Sequence, residues 1–161
     1  MSLDTRDFRR ALGTFATGVT VVTSRGPGGE PLGVTANSFN SVSLDPPLVL
    51  FSLDRGAYSL KAFEAAGVFA INILSERQRH LSEGFARSRS DKWRNVAYEV
   101  WDTGAPILTD SLASFECLTH STHDGGDHVI FVGRVQRLRY SEEGLPLLYF
   151  RGGYCALGQT E

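Results

Sequence analysis

Val129-Ile130-Phe131-Val132-Gly133-Arg134-Val135 is β-branched and aromatic enough to read as a strand, and it is apolar on both faces. Val129, Phe131 and Val135 fall on one side, Ile130 and Val132 on the other, so each side needs cover. A barrel interior accounts for one face, and a helix or a second subunit for the other. Just before this stretch, Asp124-Gly125-Gly126-Asp127 is a tight hairpin turn. It joins the two longest β runs, residues 112–122 and 129–140. Shorter strands are predicted at 98–101 and 147–149.

Upstream the pattern is mixed. Asp4 can cap an opening helix with Phe8, Leu12 and Phe15 at i, i+4 and i+7; Gly13 weakens it and Gly18 ends it. Strands follow at 19–24 and 32–36, separated by Arg25-Gly26-Pro27-Gly28-Gly29-Glu30-Pro31, and at 48–53 after Asp45-Pro46-Pro47. Ser59 can cap a short helix that turns Leu60, Phe63 and Ala66 inward and stops at Gly67. A buried strand at 68–74 leads to a helix capped by Ser75 and carrying His80, Leu81 and Phe85, then to a charged loop at 87–97. Strands mostly succeed one another through hairpins, which predicts a mainly β fold, an antiparallel β-barrel with peripheral α-helices, over a doubly wound sheet. No repeat or linker divides the chain, so residues 1–161 read as a single domain.

Composition narrows the function. With 16 Lys and Arg against 18 Asp and Glu, the formal charge is -2, which argues against a basic nucleic-acid binder. Apolar residues at 42% exclude a disordered chain. No apolar run approaches the roughly 20 residues of a membrane span, and the first ten residues carry no signal-type apolar region. Cys117 and Cys155 are the only cysteines, so no disulfide scaffold is expected and a cytoplasmic location is the default.

Familiar catalytic patterns are missing. The third glycine of a dinucleotide fingerprint would fall on Pro31, and no Gly-x-Ser-x-Gly elbow occurs. His120 and His123, three apart on a strand, point to opposite faces, so with Cys117 and His128 they do not converge on a metal. Two stretches are more informative. Thr35-Ala36-Asn37-Ser38-Phe39 leaves a strand as a row of small polar groups that can read the rim of a planar heterocycle, or can form an ordinary capped turn. Asp54-Arg55-Gly56-Ala57-Tyr58-Ser59 leads into a helix and suits either a phosphate or a plain cap.

Taken in order, several segments resemble the flavin reductase family, the small reductase components of two-component flavin-dependent monooxygenases. They are Phe15-Ala16-Thr17-Gly18-Val19-Thr20-Val21-Val22-Thr23, Thr35-Ala36-Asn37-Ser38-Phe39, and Ser41-Val42-Ser43-Leu44-Asp45-Pro46-Pro47-Leu48-Val49-Leu50. Asn72-Ile73-Leu74-Ser75, Gly126-Asp127-His128 and Leu147-Leu148-Tyr149-Phe150-Arg151-Gly152-Gly153-Tyr154 continue the series. The resemblance implies a homodimeric FMN-binding split barrel of antiparallel Greek-key type. It also implies hydride transfer from NADH or NADPH to FMN or FAD, with reduced flavin passing to a separate oxygenase and neither nucleic acid nor membrane as partner.

By the same resemblance, flavin lies along Gly33, Val34, Thr35, Ala36, Asn37 and Ser38, with its phosphate side at Asp54, Arg55, Gly56, Ser59, Leu60 and Lys61. A further flavin edge falls at Phe85, Ala86 and Arg87. The nicotinamide side falls at Phe150, Arg151, Gly152, Gly153 and His128, the last as the catalytic candidate. Gly153 stands where many relatives have a bulkier residue, so the choice of nicotinamide nucleotide stays open. The alternatives are a stand-alone flavin or ferric reductase and a flavin-binding electron carrier. Hydride transfer needs no protein nucleophile, which suits a site of amides, hydroxyls and glycines. His128, at the exit of the turn, can hydrogen-bond a carboxamide or supply a proton, or simply end a strand.

Overall fold

Asp4 opens the first element as its residue type requires: its carboxylate accepts from the N–H groups of Arg6 (2.7 Å) and Asp7 (3.1 Å). The computed structural model describes residues 2–88 and 91–158. In chain order the elements are α1 (Thr5–Leu12), β1 (Thr17–Gly18), β2 (Thr20–Arg25), β3 (Pro31–Ala36), β4 (Asn40–Leu44) and β5 (Pro47–Asp54). Then come α2 (Leu60–Ala66), β6 (Val68–Ile73), a 3₁₀ turn (Glu76–Gln78), α3 (Arg79–Phe85), β7 (Tyr98–Val100) and β8 (Pro106–Leu108). The long hairpin β9 (Ala113–Gly125) and β10 (His128–Tyr140) is followed by β11 (Leu148–Phe150) and β12 (Gly153–Cys155). The mainly β, antiparallel architecture expected from the hairpin pattern is the one observed.

Seven strands form one antiparallel sheet in the order β3-β2-β6-β9-β10-β5-β4. Its two edge strands, β3 and β4, are joined by three residues only, Asn37, Ser38 and Phe39. From Ala36 to Asn40 the chain can span about 14 Å at most, far less than the width of seven strands, so the sheet must curl until its edges come together. Where they meet, Ser38 extends the β4–β5 register. Its Oγ accepts from Ser52 N–H (2.9 Å) and donates to Ser52 O (3.2 Å). Towards β3 the two segments separate, and the barrel is split there.

Four rings fill the barrel. Phe51 stacks on Phe131 at 5.0 Å and 13°, and meets Phe69 edge-on at 5.0 Å; Phe63 from α2 closes the group. Each buried ring contributes about 1.5–3 kcal/mol. As the alternation predicts, Val129, Phe131 and Val135 all join this cluster. Gly133 interrupts the row because a Cβ there would overlap the Phe69 ring and Cys117. Asn72 pins the sheet from the other side. Fully buried, it donates to Val21 O and accepts from Leu108 N–H and Ser114 Oγ, so its amide is satisfied.

Some local expectations are corrected. The first helix ends at Gly13, not Gly18: Thr14 bonds back to Ala11 O, and Thr17 and Gly18 are drawn into pairing with β11. Phe8, Leu12 and Phe15 are 48, 58 and 79% exposed, so the apolar face of α1 is uncovered in the single chain. Ser59 precedes α2 without capping it through its side chain, because its backbone is already helical (φ -89°, ψ -2°). Ser75 does form a capping box, with Gln78, but on a 3₁₀ turn that leads into α3. Of the charged loop at 87–97, positions 89 and 90 lie outside the described residues. Strands β1, β4, β8 and β12 were not anticipated; each has five residues or fewer.

Candidate active site

The split holds a cavity of about 750 Å³. Its first wall is β3 and its continuation, Gly33, Val34, Thr35, Ala36, Asn37 and Ser38. Only one side of β3 is paired, with β2, so alternate backbone N–H and C=O groups on its outer edge face the split. Opposite lie Ser52, Asp54, Gly56 and Ser59, from β5 and the turn into α2, and the end of α3 brings Phe85, Ala86 and Arg87. His128 closes one end because it pairs with Asp54 at the first position of β10.

Side chains hold these walls in place. Thr35 Oγ1 donates to Ser82 O (2.6 Å), tying β3 to α3. Asp54 Oδ1 accepts from Gly56 N–H (2.6 Å), shaping the turn before α2. His128 Nδ1 donates to Asp127 Oδ1 (2.7 Å), and that hydrogen bond holds the Asp127 carboxyl below the usual carboxylate range. With Nδ1 engaged, the neutral ring presents Nε2 as an acceptor. The imidazole is 41% exposed, accessible to a ligand yet anchored.

Several expected residues lie elsewhere. Arg55 does not line the cavity. Its Nε donates to Gly126 O (2.8 Å) and its guanidinium pairs with Asp124, so it fastens the β9–β10 turn that presents His128. Leu60 packs on the barrel core and Lys61 is exposed, both off the cavity. Phe150, Arg151, Gly152 and Gly153 form the β11–β12 turn, with φ of +50° at Arg151 and +79° at Gly152. That turn bonds to α1 through Arg151 N–H and Gly13 O (2.8 Å), and the cavity lining does not include it. Its hairpin touches the site indirectly: Tyr154 Oη meets Ser82 Oγ at 2.7 Å, on the same residue whose carbonyl holds Thr35.

The lining also contains residues the sequence reading missed, among them Ser52, Lys92 and Trp93. Trp93 packs edge-on against Phe85 at 4.8 Å and walls the cavity. An isolated tryptophan in a charged loop was the available signal for it. A larger cavity of about 910 Å³, bounded by His80, Leu112, Arg139 and Tyr140, contains none of the expected site residues. The smaller one gathers thirteen of them, edge-strand amides included, and is the better candidate.

Comparison with known proteins identifies the family. Residues 12–158 match the family model described as flavin reductase like domain. The chain is 47% identical to a probable flavin reductase of Rhizobium meliloti over 94% of its own length, though it spans only 48% of that relative. It is 41% identical to the reductase subunit of a flavin-dependent monooxygenase from Rhodococcus jostii, covering 97% of this chain and 80% of that one. Among solved structures, the NADH:FAD oxidoreductase of Streptomyces globisporus, in complex with NAD and FAD fragments, superposes with a TM-score of 0.90 at 36% identity. That likeness covers 98% of this chain and 97% of the other. On this match over most of its length, the chain belongs to the flavin reductase-like domain family.

Proposed function

We propose that this protein transfers hydride from NADH or NADPH to FMN or FAD and delivers the reduced flavin to a separate oxygenase. The observation that carries the reading is residues 35–38 lining the barrel split, with the unpaired edge of β3 beside them. The fit is chemical. A row of backbone amides, the Asn37 carboxamide and the Ser38 hydroxyl match the polar rim of a flavin ring, while Phe85 and Trp93 exclude water. About 750 Å³ lies within the usual cofactor-pocket range of about 300–1,000 Å³.

A bound flavin supplies the electron-accepting ring, and the protein's work is orientation and electrostatics. β3 holds the ring edge. Gly56 leaves space on the opposite wall, and His128, steadied by Asp127, offers an acceptor nitrogen to a nicotinamide carboxamide or holds a proton near the ring. The names of the Rhodococcus and Streptomyces relatives support an oxygenase partner and NAD with a flavin nucleotide.

We infer a homodimer as well. The exposed Phe8, Leu12 and Phe15, together with Leu44 at 96% exposure, support it as apolar surface suited to a second copy. A stable, flavin-competent monomer in sedimentation would refute the dimer. The activity is tested by anaerobic mixing of the protein with NADH or NADPH and FMN or FAD. Nicotinamide oxidation that requires added flavin is expected, whereas flavin binding without oxidation would leave only an electron carrier.

A further inference from the structure

Ser82 fastens two walls of the cavity without lining it. Its carbonyl accepts from Thr35 Oγ1 (2.6 Å) and from Ala86 N–H (3.1 Å), so β3 and the end of α3 are held on one oxygen. The residue is fully buried, and among the described residues its hydroxyl has a single partner, Tyr154 Oη at 2.7 Å. Tyr154 comes from β12, in the separate sheet β1-β11-β12, and is itself held. Its ring meets Tyr149 edge-on at 5.4 Å, and the Arg79 guanidinium lies 4.7 Å over it while pairing with Glu83 (2.9 Å).

Phenylalanine would fill the same space. The hydroxyl adds one directed contact, made to the residue that carries both walls. Those walls transmit a shift instead of absorbing it: Phe85 packs so closely on β3 that a Cβ at Gly33 would lie 2.7 Å from its ring. A displacement of α3 therefore moves β3 or the Phe85 ring. We propose that Tyr154 is a positioning residue for flavin reduction. Through Ser82 its hydroxyl fixes α3 and Thr35, and with them the wall against which the flavin is held. This role rests on the flavin reading above and is the same whichever way the ring points along the split.

The test compares wild type, Tyr154→Phe, Thr35→Val and the double variant. Tyr154→Phe removes only the hydroxyl, and Thr35→Val removes the other end of the link. Fluorescence titration with FMN and FAD gives the affinity, stopped-flow reduction of pre-bound flavin at saturating NADH or NADPH gives the rate, and ligand-free melting curves report folding. Tyr154→Phe should weaken flavin binding about three- to tenfold and slow the saturated reduction by a similar factor, within the worth of one hydrogen bond. In the double variant the two losses of affinity should not add, since both act through Ser82. A lower Tm with flavin affinity and saturated reduction unchanged would make Tyr154 a purely structural residue and overturn the proposal, as would additive losses, while the flavin reading stands. Wild-type protein that binds neither FMN nor FAD would overturn both.

Discussion

Gly33 offers a perturbation whose sign depends on the packing of the cavity wall. A Cβ at this position would lie 2.7 Å from Phe85 Cε1, 2.8 Å from Phe85 Cδ1 and 3.1 Å from Trp93 Cζ2. Contacts that short cannot persist, so the rings must move. Neither is free to do so: Phe85 is 2% exposed, and Trp93 is held edge-on between Phe85 and Tyr98. Overpacking of this kind costs about 1–3 kcal/mol. At roughly 2–4 °C per kcal/mol for a chain of this size, Gly33→Ala should lower Tm by about 2–12 °C. Without the clash the sign reverses, because alanine in a strand is favoured over glycine by about 0.5–1 kcal/mol. Displacing Phe85 and Trp93 also shifts the cavity wall, so flavin affinity should fall with Tm. Adding Phe85→Leu removes Cε1 and should recover part of the loss. Thermal melts and flavin titrations of the single and double variants decide the matter. Gly33→Ala melting at or above the wild type, with unchanged flavin binding, would refute the packing described here.

Ser38→Ala removes both hydrogen bonds to Ser52; stability should fall by about 1–3 kcal/mol and flavin affinity with it, and a variant unchanged in both would show that the junction is immaterial. His128→Ala should cut kcat/KM for NADH about five- to twelvefold with flavin affinity nearly unchanged, as read by stopped-flow reduction of pre-bound flavin. Loss of flavin binding and Tm together, with normal reduction at saturation, would instead make His128 a strand-end residue. Burial, aided by neighbouring Glu116, pushes the Cys117 thiol up to about 12, so the native protein at pH 8 should react with one equivalent of a thiol reagent, at the exposed Cys155. Rapid reaction of both cysteines would contradict that. Because this folded-state pKa is raised, the associated stability is intact below the ordinary value of 9.0 and is lost as pH rises from there towards 12, so Tm should decline across that window.

The barrel was legible where side-chain alternation and turn chemistry agree. Val129, Phe131 and Val135 announced a covered face, and Gly125-Gly126 announced the hairpin that joins the longest strands. Short strands were not legible. The three residues of β8 are buried by contacts with Asn72 and Thr23 from distant parts of the chain, which no local pattern encodes. Helix α1 was read too long because its apolar spacing continues past Gly13, whereas pairing of Thr17 with Tyr149 is non-local. In the cavity, residues 35–38 were readable as a row of small polar groups leaving a strand, whereas Gly33 and Val34 came only with the family resemblance. Lys92 was hidden in a charged loop, and its position follows only from acceptors at Gly33 and Phe85. Arg55 looked like a phosphate ligand beside a helix start, yet Asp124 arrives across the β9–β10 turn and pairs with it.

The most direct measurement is a crystal structure of the protein grown with FMN. Flavin should occupy the split, with its polar ring edge against Asn37 and Ser38 and one ring face open on the side of His128. Flavin found instead in the larger cavity beside Leu112 and Arg139, or a split left without it at saturating FMN, would contradict the placement of the active site.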